Sequence, residues 1–191
     1  EKIRRVAEDL GYRPNALARG LATRRAGEVG VVIPERHFPL DERPFYGVIL
    51  EAIEAELAQH GYHVLFSTLG DQLFPRCVEE RRVDGLIILG TDVSEDLVRS
   101  LVKIVPVVLV DHAFPGVPSV VGDNVGGAKL ATSHLLEHGH REVAFVAETL
   151  VDPSFRARFE GYQLALKEWG LRVRKEFVVE GGRRSDSDRV A

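Results

Sequence analysis

Four short stretches of this sequence carry side chains suited to recognising a hydroxyl-rich small molecule: Phe45 with Tyr46, Thr91 with Asp92, Asp111 with His112, and Ser154 with Arg158. Aromatic rings stack on the face of a sugar or a base, carboxylates accept from hydroxyls, and a guanidinium donates a fork of hydrogen bonds. Other reactive groups read differently. His134-Leu135-Leu136-Glu137-His138 matches the H-x-x-E-H pattern of a zinc-peptidase class. It lies inside a helical stretch, however, where Leu135 and Leu136 are expected to face a sheet and His134 and Glu137 to stay solvated, and no later acidic ligand accompanies it. The glycine-rich run Gly122 to Gly127 opens a helix and could receive an anion, although a tight strand-to-helix entry accounts for the same glycines. Cys77 has no base beside it in the sequence and reads as a buried thiol. There is no G-x-G-x-x-G after a strand, no Walker loop and no G-x-S-x-G. No catalytic residue, metal ligand set or cofactor is therefore expected, and enzymatic turnover is not expected.

These candidates need a scaffold, and the apolar pattern supplies one. Val29–Ile33, Tyr62–Phe66, Leu86–Leu89, Val105–Val110 and Val143–Val146 are short, β-branched, nearly continuous runs of the kind found in strands buried on both faces. Amphipathic stretches alternate with them: Tyr46–His60 ended by Gly61, Ser94–Val102 with Ser94 as a cap, Val125–His138 ended by Gly139, and Phe155–Trp169 ended by Gly170. This alternation predicts an α/β fold, a parallel sheet wrapped by helices through right-handed crossovers. Such sheets bind ligands beyond the carboxyl ends of their strands, which is where the four stretches fall.

The chain has 191 residues, 45% apolar and 28% charged, with a net charge of −4. That is an ordinary globular composition, long enough to bury a core without disulfides or a structural metal. A single cysteine excludes an intrachain disulfide and fits a reducing compartment. No apolar run approaches a membrane span, and the charged, amphipathic start has no signal-peptide core, so a cytoplasmic location without membrane association is expected. There is no Met, and Glu1 falls inside a helical pattern, which predicts a piece of a longer protein. Residues 1–28 hold seven basic against four acidic side chains, leaving the rest at −7. A basic arm on an acidic body points to an anionic partner for the arm.

Ile3, Val6, Ala7 and Leu10 form a helical stripe closed by Gly11, followed by Tyr12-Arg13-Pro14-Asn15-Ala16-Leu17-Ala18-Arg19-Gly20-Leu21. With Val29-Gly30-Val31-Val32-Ile33-Pro34, Arg82-Val83-Asp84-Gly85-Leu86-Ile87, Asp123-Asn124-Val125-Gly126, Gly139-His140-Arg141 and Gly161-Tyr162, this string resembles the lactose-repressor/galactose-repressor (LacI/GalR) transcription regulators from residue 1 to about 181. The sequence departs from that pattern in three places. The sequence does not include the helix-turn-helix that the family carries ahead of this point, the stretch Glu35–Arg43 is long while Ser67–Arg82 is short, and the family's last strands and helices are expected beyond Ala191.

The resemblance implies a type I periplasmic-binding-protein-like sensor of two subdomains, the second incomplete, preceded by a short helical hinge. Residues 1–11 would end a DNA-binding headpiece, 12–28 form the hinge helix and linker, 29–122 the N-terminal sensor subdomain, and 123–191 part of the C-terminal one. It further implies a homodimer whose paired hinge helices enter the minor groove of operator DNA. Leu21 would wedge between base pairs, with Asn15, Ala18 and Arg19 facing the DNA. The effector, a sugar or nucleoside, would be met by Phe45, Tyr46, Asp111, Ser154 and Arg158. The alternative is a periplasmic-type sugar-binding protein with the same sensor fold.

Overall fold

A computed structural model describes residues 5–6, 9–11, 25–35, 44–70, 74–91 and 93–181. Asn15, Ala18, Arg19 and Leu21, the expected hinge residues, lie outside the described residues, as does Asp92. Of the first helical stripe, Val6 is helical, as are its neighbours Arg5 and Asp9, and the Leu10 N–H donates to the Val6 carbonyl at 3.1 Å.

The chain divides into two units, residues up to Leu109 with Gly116–Pro118, and Val110–Pro115 with the residues from Ser119 onward. In the first, β1 (Glu28–Pro34) lies between β2 (His63–Leu69) and β3 (Gly85–Leu89) and runs parallel to both. β4 (Val107–Val110) and β5 (Ser119–Val120) continue the sheet in the order β2-β1-β3-β4-β5, although β5 itself groups with the second unit. Crossovers run through α1 (Pro44–Gln59), α2 (Arg76–Glu79) and α3 (Glu95–Leu101). Burial on both faces of β1 leaves Val31, Val32 and Ile33 fully inaccessible, as its unbroken apolar run predicts. Ser94 caps α3 by accepting from the Leu97 N–H at 3.3 Å, as its position before Glu95 and Asp96 suggests. The short second crossover leaves room for one helical turn, which buries Cys77 and Val78. A Cβ on Gly30 of β1 would lie 3.2 Å from Cys77 Sγ, so a glycine is what lets α2 approach. Burial pushes the Cys77 thiol pKa up, and the thiol is buried as expected.

The second unit contains α4 (Asn124–Glu137), β6 (Phe145–Ala147), α5 (Pro153–Glu168), a 3-10 turn (Lys175–Phe177) and β7 (Val178–Glu180), with β6 parallel to β7. Leu136, Val143, Tyr162 and Leu166 form its core, with Phe145, Phe159 and Leu171 packed against them. The Tyr162 hydroxyl donates to the Val143 carbonyl at 2.8 Å. Helices α1, α4 and α5 end where Gly61, Gly139 and Gly170 take positive φ, a conformation that only glycine adopts freely.

Several expectations are corrected. Leu135 does not face a sheet: it is 41% exposed while Leu136 is fully buried, because neighbours on a helix point about 100° apart and one core-facing slot exists there. His134 and Glu137 are exposed, as expected. The last predicted strand starts two residues late, since the Val143 carbonyl is taken by Tyr162. That strand is not buried on both faces either: Val146 is 70% exposed, while Phe145 packs against Phe159 and Tyr162 on the other side. β4 begins after Pro106, which has no N–H to give a ladder.

Candidate ligand-binding site

The second unit gathers three of the five predicted effector residues around the start of α5. β4 ends at Val110, and Asp111 follows with φ of +65°, a left-handed conformation that a short carboxylate side chain tolerates better than most. Its backbone N–H donates to the Val120 carbonyl at 2.9 Å, which holds the turn. The Ser154 hydroxyl donates to Asp111 Oδ1 at 3.5 Å, a long bond that a ligand hydroxyl can replace.

Ser154 owes its place to a helix cap. Asp152 Oδ1 accepts from the Ser154 N–H at 2.8 Å and the Phe155 N–H at 3.4 Å, with Pro153 opening the helix. One turn on, Arg158 lies on the same side of α5. Its Nε donates to Asn124 Oδ1 at 2.7 Å, and its guanidinium carbon sits 5.2 Å from the centre of the Phe155 ring. The glycine-rich entry to α4 is likewise closed by a carboxylate: Asp123 Oδ1 accepts from the Gly126 N–H at 2.8 Å. An anion at either helix start would meet an aspartate rather than open amides.

His112 packs edge-on against Phe114, with ring centres 4.4 Å apart. Burial holds its imidazole pKa below the ordinary value, and the carboxylates of Asp152 and Asp111 pull the other way. The rim of this unit thus offers a carboxylate acceptor, a hydroxyl, a neutral imidazole and a guanidinium fork. That set matches hydroxyl and base-edge recognition.

Phe45 and Tyr46 open α1 in the first unit as an edge-on pair with centres 5.2 Å apart. Phe45 is 57% exposed, while Tyr46 is a core residue at 7%. Thr91 is half-buried just beyond β3. Sequence reasoning passed over Asn124, Asp152 and Phe155. Asp152-Pro153-Ser154 does carry the sequence signature of a helix start, whereas nothing marks Asn124 as the partner of an arginine 34 positions away. Among the described residues no group of three or more His, Cys, Asp or Glu side chains can hold a metal ion. No described helix is long and apolar enough to cross a membrane.

A parallel sheet with helical crossovers and a polar cluster beyond a strand end defines an α/β fold of the kind that can hold a ligand at its strand ends. More narrowly, the sequence pattern of the family described as periplasmic binding proteins and sugar binding domain of LacI family matches residues 26–189, and the chain belongs to that family. Catabolite control protein A of Priestia megaterium is 36% identical over 98% of this chain and 58% of its own length. The ribose operon repressor of Escherichia coli K12 is 32% identical over 94% of this chain and 56% of its own. Among solved structures, a complex of the transcriptional regulator CelR with cellobiose is 28% identical, with a TM-score of 0.68 over 94% of this chain and 55% of that protein. The chain spans a little over half the length of the relatives it matches.

Proposed function

We propose that the chain is the hinge and sensor portion of a LacI/GalR-type transcriptional regulator, in which a sugar- or nucleoside-like effector bound by the sensor alters the grip of residues 12–28 on operator DNA. The observation that carries the effector half is the gathering of Asp111, Ser154 and Arg158 within one unit, just past the end of β4. Phe45, exposed at the start of α1 in the first unit, is a further candidate contact, whereas Tyr46 is a core residue. The two units would be the two sensor subdomains, with the boundary near Val110 rather than at residue 122. Names of the matched relatives support the regulatory half: they are repressors and regulators, and one is solved with cellobiose. The role is binding rather than turnover, and operator DNA sets its place in the cytoplasm.

The hinge acts in a homodimer, because a stretch this short, with Pro14 and Gly20 in its sequence, has little helix propensity of its own and would need a second copy and the groove to order it. Helix α1 contributes to that pairing. A periplasmic-type sugar-binding protein, the same fold feeding a transporter, is not favoured: the matched relatives are regulators and residues 1–28 carry a basic surplus.

Calorimetry with D-ribose, cellobiose and adenosine tests the reading. At least one is expected to bind, and Arg158→Ala is expected to weaken it by ~2–3 kcal/mol, about 30- to 150-fold, through loss of a charge-assisted donor pair. Unchanged affinity in that variant removes Arg158 from the site.

A further inference from the structure

We propose that Asn124 is a positioning residue, which sets the guanidinium of Arg158 for ligand contact; this rests on the effector-site reading above. Arg158 is exposed on α5, where an unrestrained arginine samples many rotamers. Two contacts within the second unit restrain it: the Nε donates to Asn124 Oδ1 at 2.7 Å, and the guanidinium lies against the Phe155 ring at 5.2 Å. Asn124 is itself held. It is the first residue of α4, and its Nδ2 donates to the Gly122 carbonyl at 3.3 Å. A guanidinium has no acceptor, so only the amide oxygen can face it, and the amide nitrogen is thereby turned toward Gly122.

With Nε engaged, Arg158 Nη1 and Nη2 show no hydrogen bond among the described residues and form the edge left for a ligand. A donor pair fixed before binding loses less rotamer freedom when it is used. Asn124 thus acts through Arg158 rather than by touching the ligand, since its oxygen and nitrogen both have partners already. The arrangement also ties the start of α4 to α5.

The test uses Asn124→Ala and Asn124→Asp, each alone and combined with Arg158→Ala. The readouts are the Arg158 Nε–H resonance in unliganded protein, calorimetric affinity for D-ribose, cellobiose and adenosine, and Tm. The proposal expects a protected Nε–H signal in the parent that Asn124→Ala abolishes and Asn124→Asp keeps. Affinity for the probe that binds should fall about 5- to 10-fold in Asn124→Ala, recover in Asn124→Asp, and fall no further when Asn124→Ala is added to Arg158→Ala. An Nε–H signal indifferent to Asn124→Ala overturns the proposal, and so does an equal loss of affinity with and without Arg158. A parent that binds none of the three probes while keeping its Nε–H signal overturns the effector-site reading, and the positioning role with it.

Discussion

His112 leaves β4 beside Asp111 and carries the site's titratable imidazole, and its environment sets a pH dependence with a definite sign. Burial disfavours the cation in the fold, whereas the unfolded chain takes up that proton near pH 6.5. Below about pH 6.5 the unfolded state therefore binds more protons than the native state. Stability falls as pH drops from there toward the lowered folded pKa, and the loss levels off below it. Replacing His112 by Gln removes this contribution. The drop in urea midpoint from about pH 8 to about pH 5.5 should then be smaller in the variant than in the parent, and equal drops would show that the fold does not disfavour the imidazolium. At this scale the sequence disclosed residue types well. Ser154 and Arg158 stand four apart, so a helix puts them on one side once its start is known. It did not disclose that Arg158 finds Asn124 or that Tyr46 is core, because both depend on which surfaces meet across long separations in the chain.

Helices α4 and α5 meet where glycine replaces a side chain. A Cβ on Gly161 would overlap the Val125 carbonyl oxygen and lie 2.9 Å from the Lys129 backbone nitrogen, and backbone atoms cannot step aside as a flexible side chain can. Gly161→Ala is expected to cost about 2–3 kcal/mol and lower Tm by about 5–10 °C, read by calorimetric or circular-dichroism melting. Gly127→Ala, in α4 but with open space around its added Cβ, should instead gain roughly 0.5–1 kcal/mol from helix propensity. If both variants melt like the parent, the close approach at Gly161 is not what seats α5. Elements long enough to show a period were legible: the large helices end at the glycines that mark their stops, and β1 follows its apolar run. β5, with two residues, and β7, with three, were not, since a strand that short has no period and forms only because a neighbour offers a ladder.

At the scale of the whole molecule, the sequence separates a basic arm from an acidic body, and the match to regulators extends over nearly the whole chain. If the arm binds DNA as proposed, its fixed positive charge would give a salt-dependent attraction to any duplex, with Arg13, Arg19, Arg24 and Arg25 meeting phosphates that carry no sequence information. Selectivity needs a further term, which the resemblance assigns to Leu21. An apolar side chain pressed between base pairs costs a few kcal/mol of unstacking, recovered where the sequence bends easily and the bend brings more protein onto the DNA. In the full-length protein, Leu21→Ala should weaken operator binding about 10- to 100-fold, the worth of one buried apolar side chain. The slope of log affinity against log salt should stay the same, since no phosphate contact is lost. Binding to unrelated DNA should hardly change. Gel-shift bending assays at fixed salt separate the two roles: an operator bent as strongly by Leu21→Ala as by the parent would place Leu21 in the linker and leave the arginines as the whole of the hinge's contribution.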